Sequence, residues 1–327
     1  MKTTAIVFED VEKVEIKEIE IPEMENDEIM VDVMRTGVSV GTERWALSGL
    51  RPDTVFPLVP GYQGIGRVIN TGEKVSDIEI GDIVYFVHSR VEKPYSSWSG
   101  THLSTAIVKV NPYCVKIGRK LDEQEINCLA LSALAAVSCR GIEMAKVSLG
   151  EKCLVVGLGF IGQMACQIMK LKGCEVVGAD VIEKRVKIAK KYSCDEAINV
   201  GGKTFVEEIK KISHFFDIII DTTGSDRMLN EEIHLLKFGG KFVWQGWYPG
   251  ESKINYHNFH AKLATVYMPC YFTAEALRQS IKWIAERKLT ILPLITTVAS
   301  YKMAKEVYSK ILNEPSEILG VIFNWEK

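Results

Sequence analysis

"KCLVVGLGFIG", residues 152–162, is the stretch on which the reading of the fold turns. An apolar run ends in Gly157, Gly159 and Gly162 at G-x-G-x-x-G spacing, with Phe160 and Ile161 opening a helical pattern. Each glycine has a physical reason: one makes the tight turn, one lets backbone approach a pyrophosphate, and one lets helix pack closely on strand. The N–H groups at the helix start then face the anion. A second apolar run, "CEVVGAD", ends in Asp180, 18 residues after Gly162, where a carboxylate can accept from both hydroxyls of an adenosine ribose. That acid repels a 2′-phosphate, so NAD is favoured over NADP, although Lys184 and Arg185 follow closely and Arg185 joins the candidate cofactor residues. The bland alternative is a doubly wound sheet whose glycines only turn the chain.

Outward from this motif, apolar runs alternate with helical stretches: "EAINV", "FDIIIDTTG", "GKFVWQG" and "ATVYMPC". Such alternation requires a parallel sheet with crossovers, covered on both faces. Thr222 and Gly224 in "DTTG" and Gly246 in "WQG" fall at carboxyl ends of strands, the edge where such sheets bind ligands. Before residue 120 the texture is all-β, with short alternating runs between Gly, Pro and Asp turns. After Thr273, a helix, "ILPLITTVAS", a second helix and the strand "GVIFNW" read as a return to the first sheet. The expected division is 1–122 catalytic, 123–272 dinucleotide-binding and 273–327 return.

Composition narrows the class. The 327 residues are 47% hydrophobic, and 40 Lys and Arg nearly balance 42 Asp and Glu, so a basic face for nucleic acid or anionic membrane is not expected. Neither a signal peptide nor a membrane-length apolar run is visible, and a cytoplasmic location is expected. Eight cysteines, never spaced C-x-x-C, read as reduced, buried thiols.

The first half carries "TGVSVGTERWALSG", residues 36–49, and "GYQGIGRV", residues 61–68. Together with "VSDIEIGDIVY", "VVGLGFIG", "FDIIIDTTG" and "FGGKFVWQG", these segments resemble the medium-chain dehydrogenase/reductase superfamily over essentially the whole chain. The resemblance implies a GroES-like β-barrel catalytic domain, a Rossmann domain and a homodimer, paired through "ATVYMPC". Zinc alcohol dehydrogenases of that superfamily place cysteine, histidine and glutamate ligands where this chain has Ser39, Tyr62 and Gln63. A later cysteine ligand falls near Ser132 or Ala133. Neutral hydroxyls and amides do not replace those donors, so no zinc and no metal ligands are expected. The "GVSVGTER" loop is similar to a zinc-lacking subgroup that includes bacteriochlorophyllide a dehydrogenase, and "SGTHLSTAIV" loosely matches a histidine-bearing segment of related sequences.

Without a metal, side chains must hold and relay the proton of an alcohol that loses hydride to NAD. Candidates are Ser39, Thr42, Glu43, Tyr62, His88 and His102; histidine is the natural relay because imidazole titrates near neutrality, with His102 preferred for its place in the matched segment and His88 close behind. Each has a structural counterpart: a hydrogen-bonded histidine at a strand end, an ion-paired Glu43, a packed Tyr62. Trp45, Tyr95, Trp98, Trp247, Tyr248 and Tyr271 would suit a bulky or cyclic substrate in an interdomain cleft. His257 and His260 lack a nearby third ligand. The expected activity is secondary alcohol and ketone interconversion. The alternatives are an NADPH-dependent quinone or enoyl reductase and a non-catalytic dinucleotide-binding sensor or structural protein.

Overall fold

A computed structural model describes residues 1–202, 204–248 and 250–326. The chain forms two compact units, Met1–Ala133 with Ile295–Lys327, and Leu134–Leu294. These divisions fall later than the sequence texture suggests. The helix Glu123–Leu129 belongs to the first unit because Asn127 Oδ1 accepts from the buried Arg35 Nε at 2.9 Å. The helix Ala274–Ala285 belongs to the second, whose Gln167 Nε2 donates to Thr290 O at 3.1 Å and whose Gln167 Oε1 accepts from Thr290 N at 2.6 Å.

In the first unit the strand Glu28–Val38 is the hub. It pairs with Gly64–Thr71, with Thr105–Lys109 and with Gly320–Asn324, all antiparallel. The closing strand therefore does return to the first sheet. Burial along Glu28–Val38 is nearly continuous, because strands flank it and residues on both faces are covered. Shifts in register on Gly64–Thr71 bend the pair, as bulges do. A separate two-stranded ribbon joins Lys2–Asp10 to Lys13–Glu20. The core gathers Phe8, Leu47, Phe86, Tyr308 and Phe323, so the last helix and strand are packed into it.

The second unit is a six-stranded parallel sheet in the spatial order Glu196–Asn199, Glu175–Asp180, Lys152–Val156, Phe216–Asp221, Leu236–Trp244, Thr265–Tyr267. In chain order this is 3-2-1-4-5-6, the doubly wound arrangement whose switch point lies beside its first strand. Val and Ile side chains buried along the central strands explain the uninterrupted apolar runs. The glycine motif sits where the first strand ends, and the helix Phe160–Leu171 starts there. The fold is thus the expected combination of a GroES-like β domain and a Rossmann domain.

All eight cysteines are free, but Cys270 is exposed, unlike the buried thiols expected, because it follows the edge strand Thr265–Tyr267. Among the described residues no single helix is long and apolar enough to cross a membrane.

Candidate active site

Ser39 stands where the strand Glu28–Val38 gives way to the helix Val40–Leu47. Its hydroxyl does not cap that helix. Instead its backbone N–H donates to Glu43 Oε1 at 2.8 Å, and Tyr62 O–H donates to Ser39 Oγ at 2.8 Å. The Ser39 proton is left without an acceptor among the described residues. Burial pushes the Tyr62 phenol up to about 12, opposed by the hydroxyls of Ser39 and Thr42 beside it. The structure thus gathers three of the candidates, Ser39, Thr42 and Tyr62, into one hydroxyl cluster.

Beneath it lies a fully buried polar network. Glu43 Oε2 accepts from His102 Nε2 at 3.1 Å and from the Tyr308 hydroxyl. His102 Nδ1 lies 2.7 Å from Thr36 Oγ1, and Thr36 Oγ1 accepts from Trp325 Nε1 at 2.8 Å. Glu43, His102, Thr36 and Tyr308 are all inaccessible to solvent. A carboxylate on Nε2 requires the proton there, so Thr36 donates to Nδ1 while accepting from Trp325. Both ring nitrogens of His102 are therefore engaged, and its place is behind Glu43 rather than in the hydroxyl cluster. Burial and Glu43 hold the Tyr308 phenol well above its ordinary range, so it remains a donor.

His88 is held elsewhere, with Nδ1 2.9 Å from Ser99 Oγ, and burial lowers its pKa. Gln63 is fully buried; Tyr85 O–H approaches its Oε1 at 3.5 Å, while Nε2 has no partner among the described residues. Ser132 Oγ donates to Leu129 O at 2.7 Å, and Ala133 N donates to the Tyr85 hydroxyl at 2.9 Å. Among the described residues no three His, Cys, Asp or Glu side chains come together as a metal site, His257 and His260 included; His260 stacks on Tyr256.

In the second unit Gly157 turns the chain at φ +86, which favours glycine. A Cβ on Gly162 would lie 1.9 Å from Gly157 O, whereas one on Gly159 would meet nothing within 4 Å. That open face suits a position where a ligand approaches the backbone. Thr222 Oγ1 donates to Gly157 O at 2.7 Å and fixes the turn. Asp180 is already at work before any ribose arrives: Oδ2 accepts from Leu158 N at 2.6 Å and Oδ1 from Ile182 N at 2.8 Å. Each oxygen keeps a second acceptor site. Arg185 Nη1 lies 3.9 Å from Oδ2.

Asp221, at the end of its strand, ties together the loops that hold Gly224 and Gly246. Its carboxylate accepts from Thr223 N at 3.1 Å, Thr223 Oγ1 at 2.7 Å, Gly224 N at 3.3 Å and the Tyr248 hydroxyl; its carbonyl accepts from Gly246 N at 2.9 Å. Beside it Glu232 is fully buried with neither oxygen partnered by a donor among the described residues, and burial followed by the Asp221 charge raises its pKa well above the usual carboxylate range. Sequence reasoning missed Asp221 and Glu232, and also Thr36, Tyr308 and Trp325. Only Asp221 and Thr36 carried a signal, as the first letters of "DTTG" and "TGVSVGTERWALSG".

Residues 161–286 match the family model described as zinc-binding dehydrogenase. Over 97% of each chain, the sequence is 21% identical to an uncharacterized zinc-type alcohol dehydrogenase-like protein of Haemophilus influenzae. It is 24% identical to L-galactonate-5-dehydrogenase of Escherichia coli K12 over 94% of each. The structure resembles L-idonate 5-dehydrogenase of Escherichia coli with a TM-score of 0.87, at 19% identity, covering 99% of this chain and 98% of that one. A zinc-binding dehydrogenase of Sinorhizobium meliloti bound to NADP and an Escherichia coli alcohol dehydrogenase complexed with NADH each give a TM-score of 0.85 over 99% of both chains, at 18% and 20% identity. These structures share the fold.

Proposed function

We infer that the chain is a zinc-type alcohol dehydrogenase-like member of the medium-chain dehydrogenase/reductase superfamily, and from that premise we propose a zinc-independent, NAD-preferring oxidoreductase interconverting a secondary alcohol and a ketone. The observation that carries this reading is the Tyr62 to Ser39 hydrogen bond, which leaves the Ser39 O–H free to donate to an external oxygen.

When bound, a nicotinamide dinucleotide accepts or supplies the hydride. The chain's own residues must then hold the substrate oxygen and move one proton. In reduction, Ser39 Oγ–H gives its proton to the ketone oxygen, Tyr62 O–H restores the proton at Ser39, and water returns one to Tyr62. Oxidation runs the same path backwards: the alcohol proton passes to Ser39 as the Ser39 proton passes to Tyr62 and the Tyr62 proton leaves to water. Glu43 positions Ser39 through the backbone N–H, and His102 and Tyr308 hold Glu43. A zinc ion does not fit this donor set: a neutral serine, a phenol that keeps its proton to about 12 and an amide offer none of the thiolate, imidazole or carboxylate donors zinc takes. Support for NAD comes from Asp180, whose remaining lone pairs suit ribose hydroxyls and repel a 2′-phosphate.

The test is a titration with NADH and NADPH, with metal analysis on the same sample and an alcohol panel assayed with and without chelator. NADH binding at least about tenfold tighter, with no stoichiometric zinc and chelator-resistant turnover, is the expected result. Tighter NADPH binding moves the reading to a quinone or enoyl reductase; turnover lost to chelator overturns zinc independence. Tight binding without any hydride transfer points to a sensor. The edge strand Thr265–Tyr267, flanked by exposed Leu263, Met268 and Tyr271, is the proposed pairing edge of a homodimer.

A further inference from the structure

Two of the free thiols in the second unit touch. Cys194 Sγ–H donates to Cys166 Sγ at 3.2 Å, reaching from the loop between Glu183–Tyr192 and Glu196–Asn199 to the middle of the helix Phe160–Leu171. Both residues are buried. The loop is held independently of the thiols: Cys194 N donates to Ala189 O at 2.9 Å and Asp195 N to Val176 O at 3.0 Å. Val176 N returns a bond to Asp195 Oδ2 at 2.8 Å, and Lys170 Nζ lies 2.9 Å from Asp195 Oδ1. A disulfide sets its sulfurs about 2.0 Å apart, so closing this pair asks for an approach of about 1.2 Å.

What borders the pair is the glycine turn. A Cβ on Gly178 would lie 2.6 Å from Cys194 Sγ and 2.9 Å from Leu158 Cδ2, so thiol and leucine pack over the same glycine. Leu158 stands between Gly157 and Gly159, and its N–H donates to Asp180 Oδ2 at 2.6 Å. The residue before Cys194 is tied to the same turn. Ser193 Oγ donates to Gln163 Oε1 at 2.5 Å, and Gln163 Nε2 donates to Leu158 O at 3.3 Å and to Arg185 O at 3.1 Å. From the helix that carries Cys166, Gln167 Nε2 donates to Ser193 Oγ at 3.2 Å. Interiors packed this closely transmit a shift of about 1 Å rather than absorb it. Drawing Cys194 toward Cys166 therefore displaces Leu158, Gln163 and the turn they hold.

We propose that Cys166 and Cys194 form an oxidation site that a hydroperoxide closes to an intrachain disulfide, and that closure weakens dinucleotide binding. The weakening rests on the cofactor reading above; the bond itself does not. Cys194, 5% exposed against 0% for Cys166, meets the oxidant first. Its sulfur takes one oxygen of hydrogen peroxide, the O–O bond breaks, water leaves and a sulfenic acid forms. The Cys166 sulfur then attacks that sulfur, the S–S bond forms, and the hydroxyl leaves with the Cys166 proton as a second water. In all, two thiols lose two electrons and two protons, and the peroxide gains them. Burial holds the Cys166 thiol well above its ordinary range, so closure is slow at pH 7 and quickens as pH rises.

The experiment treats the reduced native chain, Cys270→Ser, Cys166→Ala and Cys194→Ser with hydrogen peroxide at pH 8, each first checked for folding by its melting temperature. Peptides are mapped by mass spectrometry without reductant, and NADH affinity is measured before treatment, after it, and again after dithiothreitol. In the native chain and in Cys270→Ser, the peptides carrying Cys166 and Cys194 should appear joined. Their Kd for NADH should rise about 5- to 100-fold and recover with dithiothreitol. Cys166→Ala and Cys194→Ser, each compared with its own reduced form, should give no joined peptide and keep their NADH affinity. Peroxide that oxidises the exposed Cys270 yet leaves Cys166 and Cys194 unjoined overturns the site. An affinity loss that persists in Cys194→Ser, or a joined pair with unchanged affinity, overturns its link to the glycine turn. If the reduced chain binds no NADH, the cofactor reading fails separately, and the joined peptide alone decides the disulfide.

Discussion

The Nε2 of His102 lies 3.1 Å from Oε2 of Glu43, and neither side chain has any solvent exposure. A carboxylate so deeply buried needs every donor it has, and here they are His102, the Tyr308 hydroxyl and the Ser39 N–H. Removing one donor leaves part of a buried charge unpaired. Tyr308→Phe or His102→Leu should each cost about 1–3 kcal/mol, read as a fall in urea midpoint. Because both donate to the same oxygen, the double variant should depart from additivity by more than about 0.5 kcal/mol. Strict additivity would mean that Glu43 does not couple them.

Ser39 and Tyr62 respond differently, since their hydroxyls face outward from that network. Ser39→Ala should lower kcat about 100-fold, the scale of a lost proton donor, while leaving NADH affinity unchanged. Tyr62→Phe removes the relay proton behind Ser39 but leaves the Ser39 hydroxyl in place, and should lower kcat about tenfold. The phenol pKa, pushed up to about 12, keeps this donor protonated through pH 10, so ketone reduction by the native protein should show no loss below pH 10 that Tyr62→Phe abolishes. A limb between pH 7 and 9 that vanishes in Tyr62→Phe would contradict the assignment.

Much of this was legible in the sequence, and the parts that were not share a cause. Glycine spacing after an apolar strand, and an acid closing the next strand, report local geometry, so the parallel sheet and its cradle could be read from neighbours in the chain. Ser39 and Tyr62 belong to nearby segments and were both picked out. Tyr308 and Trp325 reach the same site from 265 and 289 residues away, by closing the sheet through Gly320–Asn324. No periodicity announces that kind of contact. Asp180 was read as a ribose ligand, and its bonds to Leu158 N and Ile182 N were invisible because backbone donors carry no letter. Likewise the unit boundaries follow side-chain ties such as Arg35 to Asn127 rather than the change from strand-like to helical texture.

The glycines of the cradle separate folding from binding. A Cβ at position 162 collides with a backbone carbonyl at 1.9 Å, which cannot swing away as a side chain would. Gly162→Ala should therefore destabilise the chain by about 1–3 kcal/mol and weaken NADH binding with it. At Gly159 the Cβ meets open space, so Gly159→Ala should melt within a few degrees of the native chain yet bind NADH about tenfold or more weakly, because the methyl stands where the pyrophosphate approaches. Calorimetric titration and thermal melting on both variants read the two effects apart. Undiminished NADH binding by Gly159→Ala would remove this loop from the cofactor site.

Glu232 makes the last prediction a matter of sign. Burial first, and then the Asp221 charge beside it, raises its pKa well above the ordinary value of 4.5, so the folded chain holds it protonated. A carboxyl whose folded pKa is raised stabilises the fold fully below its unfolded pKa, and that stability is lost as pH rises through the folded value. The surrounding groups sharpen the effect: Glu231 adds like charge, while Tyr248 and Thr223 spend their protons on Asp221. Glu232→Gln keeps the shape and removes the proton that must be retained. Urea midpoints measured at pH 5 and pH 8 should show the variant near the native chain at pH 5 and more stable at pH 8, by about 1–3 kcal/mol. A native chain whose stability does not fall over that interval, or a variant weaker at pH 8 than at pH 5, would show that the proton lies elsewhere and that Asp221 and Glu232 do not compete for it.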